Sequence, residues 1–283
     1  MKRILTAALV LLLLVSTLAG CALFNSKADV KYTEKDGEIH ITGYTDKTVV
    51  TEFTVPDEID GKPVTAIDDF GICNAESLTK ITIGKNVREI GTWALTNNQH
   101  LAAFEVDAAN EYFTAKDGVL FSKDMKTLCF YPSGRGVEFD RLGMAKTDEE
   151  GNAIIVDYTI PDGVETIRGK AFYKCYYVDI PAIPDSVTRI EEKAFHRTSA
   201  LTDFTMSANV KYIGKDAFSY DEKLENMTIP ATVEEIGEYA FFNCTGMKKI
   251  TVLAKEENVI LGNKWQPTAK GRIRTDCEVT FAG

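Results

Sequence analysis

The sequence predicts a solenoid: short coils rich in β-strand, stacked one on the next, capped at both ends and interrupted by a β-hairpin insertion. Three observations predict it. A phrase recurs along the chain, as VEEIGEYAFFNC from Val233, VTRIEEKAFHRT from Val187 and, more loosely, VREIGTWALTNN from Val87. The recurrences keep a step of 23 residues, from Val64 to Val87 and again through Val164, Val187, Val210 and Val233, with no gap in any copy. Apolar residues fall at the same places in every copy, too few in one copy to fold alone, so neighbouring copies must share a core.

Taking each of those valines as position 1 fixes the rest of the coil. Position 4 is isoleucine throughout (Ile67, Ile90, Ile167, Ile190, Ile213, Ile236). Position 8 is small (Gly71, Ala94, Ala171, Ala194, Ala217, Ala240), and position 9 is large and apolar (Ile72, Leu95, Phe172, Phe195, Phe218, Phe241). Positions 15 and 20 are apolar from Leu78 and Ile83 in the first copy to Met247 and Val252 in the last. Positions 18 and 20 alternate with 17 and 19, the period of a strand with one buried face. In Leu224–Pro230 the proline ends that strand. The Ile-Gly-x-x-Ala-Phe portion turns the chain, through tight turns or short helical segments. Its small residue lets coils approach, and its phenylalanine fills the interior.

A period of 23 residues lies in the range of leucine-rich repeats. Here the chain resembles the BspA-like leucine-rich repeat proteins of bacterial surfaces. VEEIGEYAFFNCTGMKKITV, VKYIGKDAFSYDEKLENMTIP and VTRIEEKAFHRTSALTDFTM carry the resemblance. DEIDGKPVTAI (Asp57–Ile67) and DGVLFSKDMKTLCFYPSG (Asp117–Gly134) resemble segments that accompany those repeats, and the likeness covers residues 30–283. It implies a leucine-rich repeat solenoid, secretion or surface attachment and, in some members, adhesion to host or partner proteins. No catalytic activity comes with it.

The ends of a stack need covering. Residues 1–20 read as a lipoprotein signal peptide, 21–29 as a tether, 30–63 as an N-terminal β cap and 64–106 as the first two copies. Residues 107–163 read as a degenerate copy carrying the hairpin, 164–252 as copies three to six, and 253–283 as a C-terminal cap that matches the pattern nowhere, with Trp265 over the last coil. In the N-terminal cap, Glu38–Thr42 alternates like a strand and Phe53-x-Val55-Pro56 copies positions 18 to 21. In the interruption, Val119–Phe121 and Leu128–Tyr131 pair as a hairpin across Ser122–Thr127, and Val137–Phe139 is expected to pair with Ile154–Val156 across the polar loop Lys146–Asn152.

The leader has a basic start, Lys2-Arg3, and an uncharged run from Ile4 to Ala19, short for a membrane span. It ends Leu18-Ala19-Gly20-Cys21, which resembles the lipobox of bacterial lipoproteins. That resemblance implies cleavage between Gly20 and Cys21 and a lipid anchor on the Cys21 thiol, held firmly only with two or more acyl chains.

Chemistry is thinly represented. With 45% hydrophobic and 26% charged residues the chain is an ordinary folded protein, and its net charge of −10 argues against a nucleic-acid partner. The three histidines, His40, His100 and His196, are scattered in repeat position, so neither a triad nor a histidine metal site is expected. Asp117-Gly-Val and Asp148–Asn152 lack the spaced oxygen ligands of a calcium loop. Cys175 and Cys244 share position 12 with Asn98 and read as inward-facing and unpaired, being about 14 Å apart at strand spacing. Cys129 and Cys277 fall outside the regular coils and receive no place. No cofactor and no metal are expected.

The candidate binding face is the outward side of the strands. Its residues are Lys80, Thr82, Glu105, Asp203, Thr205, Asn226, Thr228, Lys249 and Thr251, with Ile180 and Ala182 in the same columns. The sequence reading is a monomeric, exported lipoprotein anchored to the membrane and facing the cell exterior or envelope. Its solenoid binds an extracellular protein or glycan through the strand face or the 137–156 loop, without catalysis. The alternatives are an envelope scaffold with no dedicated ligand and, less well supported, a hydrolase.

Overall fold

The computed structural model describes residues 30–45, 50–202 and 204–283. Cys21, Gly20 and Asp203 lie outside the described residues. Short parallel strands line up along the stack in two columns, each of them interrupted once or more. The first is built on position 4, which pairs coil to coil as Ile41 with Ile67, Ile67 with Ile90, and then Leu128 with Ile167, Ile190, Ile213, Ile236 and Leu261 in turn. These are nine rungs among the described residues, where the valine step marks six. Residues 253–283 do carry the pattern: Ile260–Leu261 pairs with Glu235–Ile236, and Glu278–Phe281 with Lys249–Val252. Trp265 is buried and meets Phe241 edge-on at 6.4 Å.

The second column holds positions 17 to 20. Phe53 pairs with Ile81 and Ile81 with Phe104 at one end, and Asn226–Ile229, Lys249–Val252 and Glu278–Phe281 pair at the other. Between them, among the described residues, only the bridge from Ala182 to Thr205 remains at these positions. Pro181 at position 18 has no N–H to give the ladder, and Ile180 turns inward in its place, fully buried. Ile180 is therefore removed from the outward face.

The turn between the columns has a regular hydrogen-bond code. Even positions bond back within the coil, as from Ala171 N to Arg168 O, Tyr173 N to Lys170 O and Cys175 N to Phe172 O. Odd positions donate to the next coil, as from Lys170 N to Glu192 O, Phe172 N to Ala194 O and Lys174 N to His196 O. Aiming alternate N–H groups this way puts position 11 in the left-handed region in every copy, from Asn74 (φ 55°) to Asn243 (φ 58°), and position 7 in five, including Phe70 (φ 64°) and Lys170 (φ 65°). The turn is an arc of this kind and not a helix. The one helical element among the described residues is the 3-10 turn Glu256–Asn258.

Inside, the position-9 rings Phe172, Phe195, Phe218 and Phe241 stack nearly parallel at 5.1, 5.1 and 5.4 Å. Gly71 at position 8 is needed where the first regular coil meets the cap, because a Cβ there would lie 2.8 Å from Ile41 O. After Ala75 in the first copy, position 12 is a buried column of polar side chains that act as hydrogen-bond donors. Asn98 Nδ2 donates to Ile72 O at 2.8 Å and Leu95 O at 3.1 Å while its Oδ1 accepts from Ala75 N. Thr198 Oγ1 and Cys244 Sγ donate to the same kind of carbonyl, at Phe195 and Phe218. Asp221 is the exception. Its Oδ1 accepts from Thr198 N at 2.7 Å, and its Oδ2 is buried with no partner.

The hairpin of the interruption forms as its two apolar runs across Ser122–Thr127 predict. Val119–Ser122 pairs antiparallel with Thr127–Phe130, and Phe113–Lys116 adds a third strand. It is buried on both faces: Val119, Phe121 and Leu128 join the core of the later coils, while Leu120, Cys129 and Phe130 join the core of the earlier ones. The expected pairing of Val137–Phe139 with Ile154–Val156 does not form. Phe139 bridges Ala145, Thr147 bridges Ala153, and Val156 pairs in parallel with Val178 as part of the stack. Two aspartate-capped turns fold the loop locally, Asp140 Oδ1 accepting from Met144 N and Asp148 Oδ1 from Asn152 N. Local turns of this kind outcompete a long closure.

Candidate functional site

The strand face comes in two parts. Lys80, Thr82 and Glu105 lie together on one three-stranded sheet, and Asn226, Thr228, Lys249 and Thr251 on another; Thr205 stands between them on its single bridge. Threonines form ladders, Thr54 beside Thr82 and Thr228 beside Thr251 and Thr280. The charges are largely spoken for. Lys80 sits 2.9 Å from Glu52 and 3.5 Å from Glu105, and Lys249 lies 3.1 Å from Glu278. Exposed pairs of this sort are weak in water, but they leave little net charge on the face.

The 137–156 loop packs against the arc. Phe139 meets the ring of His100 edge-on at 4.4 Å, and His100 Nε2 lies 3.1 Å from Gly143 O. A cavity of about 320 Å³ separates the loop from Lys174, Tyr176 and Tyr177. Leu142 at the tip is 85% exposed. A larger open cleft, about 640 Å³, lies where the first strand column breaks between Ile90 and the hairpin, and Arg168 crosses it to donate to Ile90 O.

The histidines serve separate structural roles. His40 Nδ1 lies 3.0 Å from Asp68 Oδ1, His100 holds the loop, and His196 Nδ1 lies 2.6 Å from Ser219 Oγ. Burial, and then the surrounding cations, push His196 down to about 4. Cys73, Cys129, Cys175, Cys244 and Cys277 are all free thiols. Burial pushes Cys129 up to about 11 and Cys175 up to about 12, so neither is poised as a nucleophile.

The arc holds a surface that the apolar columns do not announce. A file of rings runs along it: Phe70 stacks on Trp93 at 5.9 Å, Trp93 meets Tyr173 at 5.4 Å, Tyr173 stacks on His196 at 5.1 Å, and Tyr220 and Phe242 follow. The file is continuous across the interruption because the degenerate coil has a short arc. Its Tyr131 takes the position-9 place, donating to Ala171 O, so the second and third copies touch outside it. Cations lie on these rings: Lys170 Nζ is 4.0 Å from the centre of Trp93, and Arg197 is 4.8 Å from that of Tyr220. Lys174 donates to Asn97 Oδ1 at 3.0 Å. Among the described residues no carboxylate is within salt-bridge reach of Lys170, Lys174 or Arg197. Lys170 is only 4% exposed, and burial pushes its ammonium below the usual lysine range. The signal available in sequence was the position-11 column: Asn74, Asn97, Lys174, Arg197, Tyr220, Asn243, all donors and none acidic.

No curated protein matches the chain. A BspA type leucine rich repeat region, in six copies, matches residues 39–130 and 151–261. Among solved structures, the chain is similar to a leucine rich cell surface protein from Faecalibacterium prausnitzii, at 16% identity and TM-score 0.52 over 91% of this chain and 94% of that one. It is also similar to the pneumococcal vaccine antigen PcpA, at 15% identity and TM-score 0.47 over 84% of each chain. A leucine-rich repeat protein from Eubacterium ventriosum is similar at 17% identity and TM-score 0.45, over 86% and 84%. At these identities the likeness concerns the fold.

Proposed function

The chain belongs to the BspA-type leucine-rich repeat family, and from that premise we propose an exported, membrane-anchored surface lipoprotein whose solenoid binds a protein or glycan and performs no catalysis. The observation that carries the binding part is the outward surface itself. The stack commits its apolar columns to the interior and leaves broad parallel sheets with threonine ladders facing water. Extended surfaces of this kind are what solenoids use for contact. The paired charges of Lys80 and Lys249 favour a second reading, an envelope scaffold without a dedicated ligand.

The anchoring part rests on residues 1–21. Changing Cys21 to Ser is expected to shift the protein from the membrane fraction to the soluble fraction and to abolish incorporation of a labelled fatty acid. Unchanged labelling would remove the anchor from this reading. The binding part is tested by screening the protein against extracellular-matrix proteins and surface glycans, with and without residues 137–156 replaced by a short turn. Saturable binding lost with the loop places the site there; binding that persists places it on the stack. A blank screen would favour the scaffold.

A further inference from the structure

We propose that the 137–156 loop is a lid latched by one residue, His100: the protonated ring holds the loop on the stack, and loss of that proton frees it from the cavity it covers. The proposal goes beyond the binding reading. It concerns where the loop sits, and a blank ligand screen would leave it standing.

The hydrogen bonds of the loop are the first support. Residues 138–155 bond among themselves: Asp140 N donates to Met144 O, Lys146 N to Glu138 O and Asp148 N to Asn152 O. Among the described residues, one hydrogen bond joins this segment to anything outside it, and it runs from the His100 ring to Gly143 O. Apolar contact does not anchor the tip, where Leu142 and Met144 are 85% and 63% exposed. Phe139 does reach the stack, but the ring it meets is again that of His100.

That ring is placed to carry a charge. Its Nδ1 faces Glu76 O and its Nε2 faces Gly143 O at 3.1 Å, so both nitrogens look at carbonyl oxygens. A carbonyl oxygen only accepts. A neutral imidazole has one N–H and one lone pair, so it bonds one of the two and turns the lone pair on the other. An imidazolium donates to both. Gly143 permits the approach: it lies in the left-handed region at φ 75°, and a Cβ there would stand 3.2 Å from His100 Nε2.

The charged groups on the surrounding elements are Glu76, Glu138, Asp140, Arg141, Lys146 and Lys174. Of these, Glu138 pairs with Lys146, Asp140 caps the turn at Met144, and Lys174 donates to Asn97. The docked loop favours the protonated ring. The latch is therefore whole in mild acid and loses one of its two bonds as pH rises through the histidine range. Release uncovers the cavity of about 320 Å³, with Gln99, Ser133, Tyr176 and Tyr177 along the stack side.

Trypsin tests the latch, because cleavage in a segment that opens and closes follows its open population. The full chain, purified in detergent, is digested at about pH 5.5 and about pH 8. The rate of cutting after Arg141, exposed on the loop, is divided by that of a free peptide of the loop sequence at the same pH. This ratio is expected to rise roughly ten-fold with pH, the effect of one charge-assisted bond. The window lies above the ordinary carboxylate range, so it does not read acids. His100→Gln is expected to give one ratio at both pH values, and Gly143→Ala a high ratio at both, each with a cooperative melt. The comparison within the parent needs no variant. A parent ratio level across the window, a His100→Gln variant with the parent's rise, or a Gly143→Ala loop as protected as the parent's would each overturn the proposal.

Discussion

Replacing Phe218 with alanine is expected to cost about 3–5 kcal/mol of stability, the largest loss foreseen for any single residue of the stack. Its ring is fully buried between Phe195 and Phe241, at 5.1 and 5.4 Å, with Phe204 edge-on at 5.2 Å. The neighbours are held by coil-to-coil backbone bonds on both sides, such as Phe195 N to Ala217 O and Phe218 N to Ala240 O, so they cannot collapse into the space. A cavity therefore persists. In a stack whose coils contact only their neighbours, the damage concentrates at one junction. Phe70→Ala is the control, because that ring is 57% exposed and should cost little. Denaturant melts of both variants check the pair. A Phe218 variant indistinguishable from the parent would contradict the stacked-ring account.

The second large effect has the opposite sign: Asp221→Asn should stabilise the protein at neutral pH. Position 12 supplies donors to the position-9 carbonyls, and Asp221 Oδ2 stands where Asn98 carries its Nδ2. A carboxylate cannot donate; a carboxylic acid can. Burial holds the Asp221 carboxyl well above the usual carboxylate range, so the folded chain keeps a proton that the unfolded chain has lost. The stability this group contributes is complete below the unfolded value and declines as pH rises toward the folded one, by up to about 1.4 kcal/mol per pH unit. Asparagine supplies the N–H without a proton to hold and removes that decline.

His196 works against the trend on the acid side. Its folded value is depressed to about 4, so its contribution is present above the ordinary histidine range and is lost as pH falls through that lower value. The two groups offset each other in mild acid. The His196 slope is common to the parent and to the Asp221→Asn variant, so the difference between their two curves isolates Asp221. As pH rises above the usual carboxylate range, the stability of the parent should therefore fall relative to that of the variant. Parallel curves would show that Asp221 holds no such proton.

The columns at positions 4, 8, 9, 15 and 20 were legible because a fixed step of 23 residues ties each side chain to one backbone direction. Three further rungs escaped. Ile41, Leu128 and Leu261 keep the position-4 contact, but steps of other lengths join them to Ile67, Ile167 and Ile236, so the valine step passes them by. Two apolar runs separated by the polar stretch Ser122–Thr127 made the first hairpin readable, while the third strand, joined through the Asp117-Gly118 turn with φ of 52° and 78°, was not read. The second was misread because Val156 alternates like a hairpin strand while belonging to the stack. On the strand face, Pro181 displaced a register that period alone would have kept. The arc was least visible: lysine, arginine and tyrosine in left-handed conformation leave no compositional trace, as glycine would.

The alternating code of the arc has a consequence for how such genes change length. The backbone bonds that join one coil to the next, in the arc and in both strand columns, are made at fixed positions. An inserted or deleted copy of one full period therefore finds its donors and acceptors already in place, whatever letters it carries on the surface. An odd number of residues inserted within the arc itself would put even positions opposite odd ones and leave that row unbonded. Recombination between near-identical copies, such as those beginning at Val187 and Val233, is thus a tolerated event here. Such a lineage can vary its reach in whole steps while each step keeps its own outward lettering.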